Sequence, residues 1–422
     1  MIDYSQFPER NILCIDMKSF YASIIAVQMG LDPLTCYLAV VGSTDRNGSV
    51  VLASSPALKR DYKIKTGSRL FEIPKIPKIY VVNPKMSLFI KVSTEITKLF
   101  YRFVPPIAVH TYSVDESFLD VKGLEKIWGS PQTIAKLVQD AIYNDFGLPC
   151  TVGIGPNMLM SKLALDLESK KVQGGIATWT YDDVANKLWK ISPLSEMWGI
   201  GRQTEKSLNS MGIYTVGDLA NYDLKKLEKK FGVLGNQLYH HAWGIDLSEI
   251  GTGTVKPARV SIGKSQILMR DYNKESEIKT VVLEMCEEVA RRARNAKKAG
   301  RTISFGLGYS KTDLAGGFYR SRTIEKATNI TMEIYKVCLQ LMKEFYTGHT
   351  VRQISLSISK LVDDIDIQLD LFDDNSWKKR DLGYVVDGIR NKYGSTALLR
   401  AVSYTEAGTT IHRSKFVGGH KG

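Results

Sequence analysis

Three acidic residues in this chain could hold cations for chemistry on phosphates. Asp16 closes the apolar run NILCID, and the adjacent pair Asp115 and Glu116 lies far along the chain in TYSVDESFLDV. A short apolar run ending in an acid reads as a buried strand with Asp16 at its carboxyl end, and the alternation around the pair reads as a hairpin. On adjoining strands the three carboxylates would share a partly buried cleft, where like charges repel unless cations neutralise them. Two magnesium ions, with manganese able to substitute, are the simplest solution. Paired metals about 4 Å apart clamp the oxygens of an in-line phosphoryl transfer. The spacing alone is equally compatible with Asp16 capping a helix and the acid pair marking a solvated turn.

Composition narrows the setting of that chemistry. A chain of 422 residues, 44% hydrophobic and 24% charged, is expected to fold as several domains. The formal net charge of +13 points to a polyanionic partner without saying which. Five scattered cysteines, none spaced as CxxC, read as reduced thiols, and six histidines form no zinc pattern. Any metal would therefore have carboxylate ligands. The amino terminus has no leader pattern and no 18-residue apolar run occurs, so a cytoplasmic protein is expected.

The elements needed to position the acids can be read along the chain. A helix is expected from about Ser19 to Met29, followed by strands TCYLAVVG and GSVVLAS, a basic helix PALKRDYKI and the proline-punctuated EIPKIPKIYVVNP. This mixture suggests a small insertion between halves of a larger sheet. A long amphipathic helix resumes near Met86, and CTVGIGPN reads as a strand leading into the helix of NMLMSKLALDLE. Short helices with glycine turns follow from Leu194, then strands alternating with two helices between Val255 and Val362. From Asp363 the composition suggests a loosely packed tail.

The strings IDMKSFYAS and YSVDESFLD resemble, in order and separation, the two opening motifs of the Y family of translesion DNA polymerases, in its bacterial UmuC-like branch. The resemblance extends through roughly residues 10–360. It implies an α+β multidomain right-hand polymerase. Residues 1–28 and 86–185 would form the palm, 29–85 small fingers, 186–250 a helix-hairpin-helix thumb, 251–362 an α/β little finger and 363–422 a tail. It also implies low-fidelity, DNA-directed DNA synthesis across lesions, in the setting of DNA repair and the SOS response. Carried over by position, Asp16, Asp115 and Glu116 become metal ligands, with the backbone carbonyl of Met17 as a further oxygen. Tyr21 matches the steric gate that excludes a 2′-hydroxyl, and Phe20 shapes the floor beside it, although both aromatics also read as core.

The resemblance places Arg60 on the incoming triphosphate, with Ser54 adding a hydroxyl. The family's usual tyrosine is replaced here by Ala57. A lysine completing the phosphate site falls at Lys170, with Lys171 as the alternative. In WGIGRQTEKSLNSMGIYTVGDLA, the turn Gly199, Ile200 and Gly201 would hold a DNA phosphate, as would Arg292, Lys297, Lys298 and Arg301 of RRARNAKKAGR. Gln368, Leu369, Leu371 and Phe372 resemble the bacterial sliding-clamp motif. The implied partners are primer-template DNA, an incoming dNTP and the clamp. Two other readings fit the same residues, a non-catalytic DNA-binding scaffold and a different two-metal enzyme such as a nuclease or nucleotide cyclase.

Overall fold

The computed structural model of the chain describes residues 2–251, 260–310, 313, 316–364, 376–417 and 419–421. It divides into two compact units, Met1–Val255 with His420–Gly422, and Lys256–Gly419.

The first unit begins β1 (Ile12–Met17), α1 (Phe20–Gln28), β2 (Tyr37–Val41), β3 (Val51–Ser54), α2 (Pro56–Tyr62), β4 (Ile79–Val82) and α3 (Met86–Phe100). It continues β5 (Val109–Thr111), β6 (Glu116–Asp120), α4 (Glu125–Trp128), α5 (Pro131–Phe146), β7 (Cys150–Gly155), α6 (Met158–Leu163) and β8 (Ile176–Thr178). A five-stranded sheet runs β5-β6-β1-β7-β8, antiparallel except for the β7–β8 pair. β1 takes the centre because Ile12, Leu13, Cys14 and Ile15 are all apolar and buried, as a strand covered on both faces requires. The helix α5 opens on Ser130, whose hydroxyl accepts the Thr133 N–H, and on Pro131 at its first position, and it stops at Gly147 with φ +66°.

β7 meets α6 almost backbone to backbone. A Cβ at Gly153 would lie 2.1 Å from the Ser161 carbonyl oxygen, and one at Gly155 would lie 2.4 Å from the Ser161 nitrogen. Only glycine permits that approach. Residues 37–82 form a separate small sheet, β3-β2-β4, with its own core of Ala39, Val41, Val51, Leu58, Ile64, Ile73 and Ile79. This is the insertion expected between the two halves of the larger sheet.

Helices complete the unit: α7 (Asp183–Asn186), α8 (Arg202–Asn209), α9 (Val216–Ala220), α10 (Leu224–Phe231) and α11 (Val233–Ala242). Thr215 and Asp218 form a reciprocal capping box at the start of α9, and Asp223 caps α10.

The second unit contains β9 (Ser261–Tyr272), α12 (Glu275–Asn295), β10 (Lys298–Tyr309), β11 (Phe318–Thr328), α13 (Thr331–Phe345) and β12 (Val351–Asp363). They make an antiparallel sheet in the order β11-β10-β12-β9, packed on α12 and α13. Its last pieces are α14 (Ser376–Tyr393) and α15 (Thr410–Arg413).

Those last pieces correct the expectation of a loosely packed tail. The Arg294 guanidinium, 4% exposed, makes two contacts of 2.6 and 3.1 Å with the Asp387 carboxylate, also 4% exposed. The Glu284 carboxylate accepts from the Thr409 N–H and hydroxyl, and the Tyr272 hydroxyl donates to the Ala407 carbonyl. The segment reads as polar because buried charge pairs and caps hold it, rather than an apolar stripe.

Removing one partner of a buried ion pair costs about 3–5 kcal/mol, whereas replacing both with apolar groups is often close to neutral. Arg294→Met is therefore expected to lower the urea midpoint of the full chain, and Arg294→Met with Asp387→Leu to restore most of it. An unchanged midpoint in the single variant would show that the pair does not hold the segment.

Candidate active site

The sheet register brings the predicted acids together. Asp16 lies directly opposite Glu116 in the antiparallel β1–β6 pair, so both side chains leave the same face. Asp115 immediately precedes β6, and its carbonyl accepts the Met17 N–H at 3.0 Å. The Ser113 hydroxyl donates to the Asp115 carboxylate at 2.6 Å. This arrangement corrects the plainer reading for two of the three: Asp16 is a strand residue and Glu116 is buried at the start of β6, while Asp115 is half-exposed in the bend just before it.

Lysines from the neighbouring helix are interleaved with these acids. The α6 helix continues as a π-helical stretch, Ala164–Ser169, so Lys162, Asp166 and Lys170 follow one another at four-residue spacing. Lys162 Nζ lies 2.8 Å from Glu116 and 2.9 Å from Asp166, and Lys170 Nζ lies 2.9 Å from both Asp166 and Asp16. Among the described residues, no three acidic, histidine or cysteine side chains converge as a ready-made ligand set. Ammonium groups instead balance the acids.

Burial raises the pKa of Asp16 above the usual aspartate range; Lys170 opposes that shift, while Asp115 and Glu116 add to it. Burial works against the Lys162 ammonium, yet its hydrogen bonds to Glu116 and Asp166 prevail and lift its pKa. Burial first, and Glu116 second, push the Cys14 thiol up, so it stays protonated and donates to Glu116 Oε1 at 3.1 Å. Three carboxylates within mutual electrostatic range, all with hard oxygen donors, fit a divalent cation of the magnesium class.

The other expected residues divide. Lys170 reaches Asp16, whereas the backbone N–H of Lys171 bonds the Glu168 carbonyl. Tyr21 is half-buried and stacks on Phe89 with ring centres 4.3 Å apart; burial and then Asp115 raise its pKa. Phe20 is buried in the core. Ser54 requires a correction: it is fully buried and its hydroxyl donates to the Ile64 carbonyl at 2.7 Å, which ties the small sheet together internally. Arg60 turns its exposed guanidinium to neighbouring Asp61 in a two-point contact.

Lys59 faces the acids instead. Its Nζ donates to the Ser19 hydroxyl at 2.8 Å. Crowding around the ammonium draws its pKa down, and Asp16 draws it up. Sequence reasoning missed Lys59, Lys162 and Asp166. The spacing of the last two along one helix with Lys170 was a usable signal; nothing in the sequence separates Lys59 from Arg60.

The residues expected at nucleic acid are also placed. Gly199 has φ +92°, and a Cβ at Gly199 or Gly201 would meet open space. Ile200 is buried and its N–H is spent on the Met197 carbonyl, so it is a core anchor within that turn. Arg292 pairs with Glu288 and Lys298 with Asp363, while Lys297 (φ 52°) and Arg301 are exposed. The motif Gln368, Leu369, Leu371 and Phe372 lies outside the described residues.

Comparison with known proteins finds a family for the chain. Residues 15–166 match the impB/mucB/samB family, residues 259–371 its C-terminal domain, and residues 195–246 the DNA polymerase-iota thumb domain. A relative named for UV-damage repair, UvrX of Bacillus subtilis (strain 168), is 65% identical over 421 residues, covering 100% of both chains. DNA polymerase IV 2 of the same organism is 38% identical, covering 98% of this chain and 99% of its own. The solved Y-family DNA polymerase chimera Dbh-Dpo4(243-245)-Dbh has a TM-score of 0.64 at 17% identity, covering 84% of this chain and 99% of that one, a likeness of fold.

The raised pKa of Asp16 has a consequence for stability. A carboxyl whose folded pKa exceeds its unfolded value stabilises the fold below the unfolded pKa, and that contribution is lost as pH rises through the folded pKa. Ionised Asp16 is thus a net cost at neutral pH, and Asp16→Asn is expected to melt no lower than the parent at pH 7. The difference should shrink at acidic pH in paired calorimetric scans. A clear loss of stability at pH 7 would show that the Lys170 contact outweighs burial.

Proposed function

The chain belongs to the impB/mucB/samB family and is a Y-family, DNA-directed DNA polymerase, and on that premise we propose that it carries out low-fidelity translesion synthesis at Asp16, Asp115 and Glu116. The observation carrying this reading is the register that sets Asp16 opposite Glu116 beside Asp115, with Lys170 bridging Asp16 and Asp166. Polymerases of this family use divalent metal ions. Two magnesium ions on Asp16, Asp115, Glu116 and the Met17 carbonyl would supply the charge that clamps the attacking and departing oxygens.

The chain's own residues do the rest. Primer-template DNA and a dNTP are its substrates, and Lys170 and Lys59 would exchange their contacts with Asp16 and Ser19 for triphosphate oxygens. Arg60 would join them after leaving Asp61. Tyr21, stacked on Phe89 over the buried Phe20, would close the space that a ribose 2′-hydroxyl needs. Tolerance of damaged bases would follow if the small three-stranded insertion at residues 37–82 encloses the nascent pair loosely. Gly199, Gly201, Lys297 and Arg301 would hold backbone phosphates, with Arg292 and Lys298 available if they exchange their acidic partners. Residues 368–372 would tether the chain to a sliding clamp in the bacterial cytoplasm, at the nucleoid, during the SOS response.

Primer extension on intact and abasic templates, with magnesium and single nucleotides, tests this reading. Asp16→Asn or Glu116→Gln should cost several kcal/mol of transition-state stabilisation, at least about a hundredfold in rate. Undiminished extension would remove the catalytic assignment. Tyr21→Ala should admit ribonucleotides, and unaltered sugar selectivity would remove the gate.

Lys59→Ala should raise the nucleotide KM roughly tenfold, the equivalent of one charge-assisted hydrogen bond. Lys171→Ala should leave it unchanged.

A further inference from the structure

A cavity of about 780 Å³ opens in the second unit between β9, α12 and the C-terminal segment that contains α14 and α15. Its volume falls in the range of small-molecule sites, roughly 300–1,000 Å³. The charges around it are unequally matched. Its three acids are all engaged: Glu284 by the backbone and hydroxyl of Thr409, Glu287 by Arg390 and Arg400, and Glu288 by Arg291 and Arg292. Two cations remain. Among the described residues, neither the Lys264 ammonium nor the Arg413 guanidinium has a hydrogen bond or ion pair, although both are half-buried in the cavity wall.

The position of Lys264 sharpens the point. β9 alternates, with Ile262, Gln266 and Leu268 buried on one face, and Lys264 occupies the place between them on that same face. Such a position normally holds an apolar side chain, and a cation there must be neutralised or be of use. Burial lowers the pKa of Lys264, and Arg413 and Arg292 lower it further against the pull of Glu288 and Glu284. Burial alone lowers that of Arg413. Two cations held close together and partly out of water favour an anion with more than one charge.

We propose that this cavity is a second ligand site, separate from the carboxylate cluster, which takes a phosphate-bearing molecule of nucleotide size with its phosphate between Lys264 and Arg413. The guanidinium offers a planar pair of donors and the ammonium a compact charge, a combination suited to phosphate oxygens. Leu399 and Phe416 supply apolar wall for the remainder of the molecule.

Titration calorimetry of the full chain with inorganic pyrophosphate in EDTA tests this site without metal, primer or catalysis, so its outcome is separable from that of primer extension. Lys170→Ala should retain the binding that depends on Lys264 and Arg413. Lys264→Ala and Arg413→Ala should each weaken binding at least tenfold. Lys264→Glu should abolish it while keeping the fold, because the new carboxylate can pair with Arg413. Melting of the unliganded Lys264→Ala protein should be no lower than that of the parent, since an unneutralised charge has been removed. Two competitors then identify the source of the phosphate: displacement by ATP marks a free nucleotide, and displacement only by a short single-stranded oligonucleotide marks a strand's backbone. Absence of binding to the parent, or equal binding by Lys264→Glu, would overturn the proposal, as would a lowered melting temperature in unliganded Lys264→Ala.

Discussion

The functional half of this molecule depends on one electrostatic problem, the concentration of like charge where β1 and β6 meet. Asp16 and Glu116 face each other across a strand pair, Asp115 adjoins them, and Asp16 is partly withdrawn from water. Such an arrangement persists only with compensation. Lys162 and Lys170 provide it from a single helical stripe, with Asp166 between them. The helix therefore acts as more than packing: it sets the spacing of the positive charge opposite the acids.

The compensation is also exchangeable. Lys170 is substantially exposed and shares its ammonium between two carboxylates, so it can leave Asp16 without becoming unpaired. Lys162 is nearly buried between Glu116 and Asp166, and its raised pKa keeps it charged. One lysine is thus suited to a permanent structural charge and the other to a role that changes when cations and phosphates arrive. Lys59 approaches from α2, donates to Ser19 and adds a third cation within electrostatic range of Asp16.

Much of this was legible in the residues. The apolar run ending at Asp16, the alternation around Asp115 and Glu116, and the glycine-asparagine exit from β7 each specify a strand or turn by local chemistry, and the structure has them in place. Reading failed where orientation, rather than residue type, decides. Arg60 and Lys59 are adjacent on one short helix, and only the pose of that helix turns the lysine inward. Ser54 has the right chemistry for a phosphate but is consumed by the Ile64 carbonyl. The carboxyl-terminal segment looked loose because its anchors are Arg294, Asp387 and Glu284, charged residues whose burial no periodic pattern announces.

The glycines of β7 carry a different implication. Because the strand and the lysine-bearing helix touch through backbone atoms at Gly153 and Gly155, no side chain lies between them to absorb change. The tolerance here is that of bare backbone: a single added methyl would have to push the helix that carries Lys162 and Lys170 off the strand, and with it the ammonium groups off the acids they serve.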